Sequence, residues 1–223
     1  MYKAMFLSNT AVSAQYASNG LDLTIPLITQ FAGPPPAGTL VRGYNGMLYV
    51  VSGDTVYFSD PYGLELFRLD TNFLRFPGRI VMFESVNDGV YVGTADIGGE
   101  DAESVGATWF LSGDRPDRMK STQLFDYGVV ETTAVKTDAA YFETPAPGQP
   151  QEEPARPAII WLSRHGIILG KDGGSVQNLT EDKYSLPIAS RGAVILRQSR
   201  GFAQFIVSLQ APGDAYNAYL EPQ

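Results

Sequence analysis

The stretch Gly46-Met-Leu-Tyr-Val-Val-Ser-Gly-Asp-Thr-Val-Tyr-Phe-Ser-Asp60 reads as strand, tight turn, strand. Its Tyr- and Val-rich arms suit a pleated, half-buried surface, and Ser52-Gly53-Asp54 is hairpin punctuation. The theme returns three times. Asp88-Gly-Val-Tyr-Val-Gly-Thr94 repeats the incoming strand, with the outgoing strand delayed to Ala107-Thr-Trp-Phe-Leu-Ser-Gly113. A third copy begins at Asp138-Ala-Ala-Tyr-Phe142 and resumes at Ala158-Ile-Ile-Trp-Leu-Ser163, with His165-Gly-Ile-Ile-Leu-Gly170 as its partner strand. The fourth is Arg191-Gly-Ala-Val-Ile-Leu-Arg197, turning through Ser199-Arg-Gly201 into Phe202-Ala-Gln-Phe-Ile-Val-Ser208.

Gly46 and Gly89 lie 43 residues apart, and Asp88 and Asp138 lie 50 apart. Propeller blades recur at about 40–50 residues, with four short strands each. Further strands fit at 39–44, 79–84, 119–125 and 175–179. The expected fold is all-β: propeller-like repeats in three to four blade-sized units, the last incomplete. A β-sandwich with long loops is the alternative. Gly33-Pro-Pro-Pro-Ala-Gly38 reads as a linker. Residues 1–36 are thus expected to hold one or two leading strands and the linker, and 37–223 the repeat domain.

Composition narrows the chemistry. The 223 residues are 44% hydrophobic, enough to bury a sizeable core, and include 12 Tyr and 12 Phe. Cysteine is absent, which removes disulfides, thiolate nucleophiles and cysteine-based zinc sites. The single histidine, His165, excludes a His-rich metal cluster within one chain. A formal charge of −8 is the opposite of a nucleic-acid-binding footprint and disfavours anionic membrane surfaces. The first ten residues carry one lysine and only a four-residue apolar stretch, so synthesis and folding in a cytoplasm are expected. No membrane insertion and no cofactor are expected.

Two insertions interrupt the pattern. The first, around Asp96, Glu100, Asp101 and Glu103, is acidic and glycine-bearing, as a solvated hairpin tip should be. It lacks the alternation of a calcium loop. The second, 143–157, contains Pro145, Pro147, Pro150, Pro154 and Pro157, with Glu143 and the pair Glu152-Glu153. Prolines donate no backbone hydrogen bond, so this arm is expected to stay out of any ladder and to contact a partner subunit.

Other motifs have plain readings. Lys171-Asp-Gly-Gly174 resembles half of a phosphate loop but reads as a turn, since no helix follows it. Asn178-Leu-Thr180 matches a glycosylation acceptor, a pattern that matters only on a secretory route. His165 reads as a polar turn residue rather than a general base. The aromatics Tyr49, Tyr57, Phe58, Tyr91, Trp109 and Phe110 are expected in the core, with a carbohydrate platform as the alternative, and Trp161, flanked by Ile160 in an apolar strand, is expected in the core as well.

Several phrases occur in one order. Tyr44-Asn-Gly-Met-Leu-Tyr-Val-Val-Ser-Gly-Asp-Thr-Val-Tyr-Phe-Ser-Asp-Pro-Tyr62 is followed by Phe73-Leu-Arg-Phe-Pro-Gly-Arg-Ile80 and Val86-Asn-Asp-Gly-Val-Tyr-Val-Gly-Thr94. Thr108-Trp-Phe-Leu-Ser-Gly113 and the run 166–184 complete the series. This order, across about 36–208, resembles tail-associated structural proteins of tailed bacteriophages and prophages. The resemblance implies a non-catalytic virion component at the tail tip, nozzle or fibre attachment, located in the virion. It also implies other phage tail proteins as partners and a homo-oligomeric state. Many members have a longer N-terminal part, which leaves the position within the tail open. A carbohydrate-binding module recognising host surface glycans is the alternative.

Overall fold

The computed structural model describes residues 32–95, 106–142, 156–180, 189–199 and 202–210. Within them the chain forms four antiparallel sheets, none closed on itself. The first contains β1 (Leu40–Tyr44), β2 (Met47–Ser52), β3 (Thr55–Asp60), β4 (Gly63–Phe67) and β5 (Phe73–Arg75). Its fourth position is shared, because β5 pairs with the start of β3 and β4 with its end. The second sheet is the meander β6 (Ile80–Ser85), β7 (Gly89–Thr94), β8 (Thr108–Ser112) and β9 (Lys120–Phe125). The third is the meander β10 (Val135–Asp138), β11 (Pro157–Ser163), β12 (Gly166–Gly170) and β13 (Val176–Asn178). The hairpin β14 (Arg191–Ser199) and β15 (Phe202–Gln210) forms the last sheet.

Turn chemistry sets these registers. Asn45 and Gly46, between β1 and β2, both have positive φ (45° and 71°). That is the backbone a two-residue hairpin needs to match strand twist, and Asn-Gly adopts it at least cost. Sequence reasoning placed the strands on either side without recognising this turn.

The sheets stack face to face in chain order, and strand alternation divides the core. Tyr49, Val51 and Val56 of the first sheet meet Phe83, Val90, Val92, Trp109 and Leu111 of the second. The intervening residues Tyr91 and Phe110 point the other way, onto Ile159, Trp161 and Ile168 of the third. Ile160 and Leu169 then face the hairpin, whose Phe205 packs against them. Strands buried on both faces lose the apolar–polar alternation, which explains the unbroken Ile159-Ile160-Trp161-Leu162 run. Tyr91 sits between Phe110 and Trp161, at ring-centroid distances of 4.8 and 5.5 Å. Gly170 makes room for this stack: a Cβ there would lie 2.7 Å from Trp161 and 2.8 Å from Tyr91.

Two expectations need correction. Asp138-Ala-Ala-Tyr-Phe142 is not an incoming strand. Asp138 ends β10, and its carboxylate accepts the Ala140 amide at 2.9 Å, capping a 3-10 turn at Ala139–Tyr141. An acidic cap before two alanines favours a helical turn over extension. The third central hairpin is β11–β12 instead. Likewise Pro157 does join a ladder. It is the first residue of β11 and pairs with Asp138, a position where the missing N–H costs no sheet hydrogen bond. The start of the proline linker also lies on the first sheet, where Gly33 and Phe67 exchange backbone hydrogen bonds of 2.8 and 3.0 Å.

Candidate functional site

The opening strands β1, β6 and β10 converge along a polar seam. Arg42 of β1 donates through Nε and Nη2 to Oε1 of the buried Glu84 of β6, at 2.7 and 2.5 Å. One step on, Lys136 of β10 donates to the Ser85 hydroxyl of β6 at 2.9 Å. The ion pair raises the Arg42 pKa, with the hydrogen bond to Glu84 as the main cause.

The seam ends at a charged clasp. Arg79 grips both carboxylate oxygens of Glu131, at 3.1 and 2.9 Å, and Arg191 of β14 reaches Oε1 at 3.1 Å. The hydrogen bonds from Arg79, assisted by Arg191, hold the Glu131 carboxyl at about 2, well below its ordinary value. An open cavity of about 130 Å³ lies between clasp and seam, lined in part by Arg42, Arg79, Glu84, Glu131 and Thr132. Ligand pockets usually span about 300–1,000 Å³, so this one suits a few waters better than an organic substrate.

The 129–133 segment fastens three sheets here. Val129 N donates to Thr94 O of the second sheet, and Val130 N to Leu162 O of the third, both at 2.9 Å. Gly192 N of the hairpin donates to Glu131 O at 2.9 Å, and the Thr132 hydroxyl donates to Gly192 O. Thr132 has φ of 64°, an uncommon backbone for a β-branched residue that persists only where surrounding contacts enforce it. Sequence reasoning missed this segment. Its only signal is a β-branched run, Val129-Val130-Glu131-Thr132-Thr133, interrupted by one acid.

Residues singled out in the sequence are dispersed. Trp109, Trp161, Tyr49, Tyr91 and Phe110 are buried and the half-buried Phe58 packs against the core, whereas Tyr57 lies half-buried on the other face of its strand, its ring 6.3 Å from that of Phe73. His165 occupies the β11–β12 turn with its ring 4.4 Å from that of Tyr127. In the Lys171–Gly174 turn, the Gly173 amide is already taken by the Asp88 carboxylate at 2.7 Å. A protein side chain thus stands where a phosphate would. Asn178 donates its side-chain amide to His165 O at 2.8 Å and accepts from Thr180 N at 3.0 Å. The acidic loop with Asp96, Glu100, Asp101 and Glu103 lies outside the described residues. So does the arm from Glu143 to Pro154, while Pro157 belongs to β11.

Among the described residues, no group of three or more His, Cys, Asp or Glu is placed to hold a metal, and no helix is long and apolar enough to cross a membrane. No known protein family matches the chain, and neither does any curated protein.

Proposed function

We propose that this chain is a non-catalytic structural subunit of a bacteriophage tail, built from propeller-like blades and acting through interfaces with other subunits. The observation that carries the reading is a contact that repeats from sheet to sheet. The β1–β2 turn of the first sheet docks on the β8–β9 connection of the second, with Tyr44 Oη donating to Gly113 O at 2.8 Å. The β6–β7 turn of the second docks on the β12–β13 connection of the third, through Asp88 to Gly173 N and Asn87 to Asp172. The first strands are linked at both steps as well, by Arg42–Glu84 and by Lys136–Ser85. Equivalent connections at successive interfaces are what a constant rotation between blades produces.

The ionisable groups at the seam serve as mutual partners: Glu84 with Arg42, and Glu131 with Arg79 and Arg191. Such pairs fix geometry and specificity. The tail assignment rests on the ordered phrases from 44 to 184, which fall largely on strands and turns of the first three sheets. Peptide mass spectrometry and antibody labelling of purified tailed particles test it. The chain should co-purify with tails at a fixed stoichiometry, and its absence from particles rejects the reading.

Glycan recognition is the second reading, favoured by one observation: Tyr62 is almost fully exposed beside the β3–β4 turn. A glycan array separates the two. Specific binding abolished by Tyr62→Ala supports the module, whereas a structural subunit gives none.

A further inference from the structure

The β14–β15 hairpin stops halfway through a pattern that the chain completes in each of its first three sheets. There the second strand lies between two others: β2 between β1 and β3, β7 between β6 and β8, β11 between β10 and β12. Each time the third strand is the next one in the chain and runs antiparallel to the second. β14 holds the first position, since its Arg191 reaches the clasp and its Gly192 bonds to Glu131 on the seam side. β15 then holds the second, and among the described residues no strand lies on its far side. Its nine residues include no charge and no proline to blunt that edge. Alternation divides the hairpin into two faces. Val194, Leu196, Phe205, Val207 and Leu209 are half-buried, and Phe205 packs against Ile160 and Leu169 of the third sheet. Ala193, Ile195, Arg197, Gln204, Ile206 and Ser208 are exposed on the other face.

We infer that residues 215–221 of this chain add to the free edge of β15 as a third, antiparallel strand. β15 ends at Gln210, and the next four residues, Ala211-Pro-Gly-Asp214, have the composition of a turn. A four-residue loop is a common hairpin connection, and here it pairs Ala215 with Gln210. That register sets Tyr216, Ala218 and Leu220 opposite Leu209, Val207 and Phe205 on the covered face. Asn217, Tyr219 and Glu221 fall opposite Ser208, Ile206 and Gln204 on the open one. The alternation of the segment thus agrees with the burial of the edge it joins. A slip of one residue would turn Asn217 and Glu221 to the covered face, so the register is specified. The rows across the sheet match as well. Tyr219 extends the cross-strand pair Ile195–Ile206, whose members are 67% and 52% exposed, and an aromatic beside β-branched residues stabilises a sheet. Glu221 extends the pair Arg197–Gln204 with a charge opposite to that of the arginine. With β15 covered by its own chain, its long uncharged edge is withdrawn from strand addition by other molecules. Partners are left the faces and turns of the sheets.

The absence of cysteine makes the register testable in the full chain. Directly opposed residues of paired strands have Cα atoms within disulfide range. Under mild oxidation Ile206→Cys/Tyr219→Cys should close a disulfide within one chain. Ile206→Cys/Ala218→Cys places its thiols on opposite faces and should close at least about tenfold more slowly. Adjacent N–H groups of a strand point to opposite edges, so Ala218→Pro/Tyr219→Pro must remove one ladder bond. In that variant the β15 amides that do not bond to β14 should exchange at least about tenfold faster, while those bonded to β14 keep their rates. Equal rates of cross-linking at the two positions would mean a segment without register. A disulfide between chains would make a second copy the occupant of the edge. Unchanged exchange in the proline variant would assign the edge to another part of the chain, such as residues 1–31. Each of these three outcomes overturns the inference, and none of them bears on whether the chain is found in tail particles.

Discussion

The Asp88 carboxylate accepts the backbone amide of Gly173 at 2.7 Å, joining the β6–β7 turn of the second sheet to the β12–β13 turn of the third. Asn87 adds two hydrogen bonds to Asp172, each 2.9 Å, so two adjacent residues of one turn clamp two of the other. The pairs are reciprocal in charge and direction: one acid lies on each side, and each accepts from the opposite turn.

Replacing Asp88 with Ala leaves the Gly173 amide without its acceptor. The expected cost is about 1 kcal/mol, below the roughly 1.5–3 kcal/mol of hydrogen bonds to charged groups because both residues are exposed. Amide exchange at Gly173 should accelerate while exchange in β11 and β12 keeps its ranking. Unchanged protection at Gly173 would show that the turn holds without the clamp.

Trp161 is fully buried between the second sheet and its own, and Trp109 is buried between the first and the second. Truncating either to Ala removes a large ring from a packed interface and should cost about 3–5 kcal/mol. Denaturant unfolding of both variants measures it. A cost near zero at either position would mean that its interface is not formed in solution.

Glu131 makes stability depend on acid. Its folded pKa of about 2 lies below the ordinary value of 4.5, so its contribution is fully present above pH 4.5 and is lost as pH falls toward 2. The clasp is partly exposed, and the Glu131→Gln variant should lose about 1 kcal/mol at neutral pH. Between pH 4.5 and 2 the difference between wild type and variant should shrink. A difference independent of pH would show that the carboxylate charge does not secure the hairpin.

Arg42 and Glu84 should behave as a coupled pair. Arg42→Ala strands a buried carboxylate and is expected to cost about 2–3 kcal/mol, somewhat below a fully buried pair because Arg42 itself is part-exposed. Adding Glu84→Gln should recover part of that loss. Additive losses in the double variant would argue against a direct interaction in solution.

The sequence by itself determined where most strands run. Val-, Tyr- and Ile-rich runs locate β2–β3, β7–β8 and β14–β15, with Gly53-Asp54 and Ser199-Arg-Gly201 marking two of the turns, because strand propensity and a hairpin's turn are local properties. The added strands at 39–44, 79–84, 119–125 and 175–179 correspond to β1, β6, β9 and β13 for the same reason. Burial of both tryptophans was legible too, since each lies inside an apolar run. Only the tertiary structure decided what each sheet meets. Ala139–Tyr141 looks extended by composition, but its backbone follows a cap from Asp138. Glu84 carries no motif, and its role emerges only when Arg42, 42 residues earlier in the chain, is brought against it. Glu131 and Thr132 carry no motif, and the role of their segment comes from hydrogen bonds to Leu162 and Gly192. Local patterning encodes which face of a strand is apolar. Which charge lies across the gap depends on how the sheets stack, and that is set by the packing of the whole core.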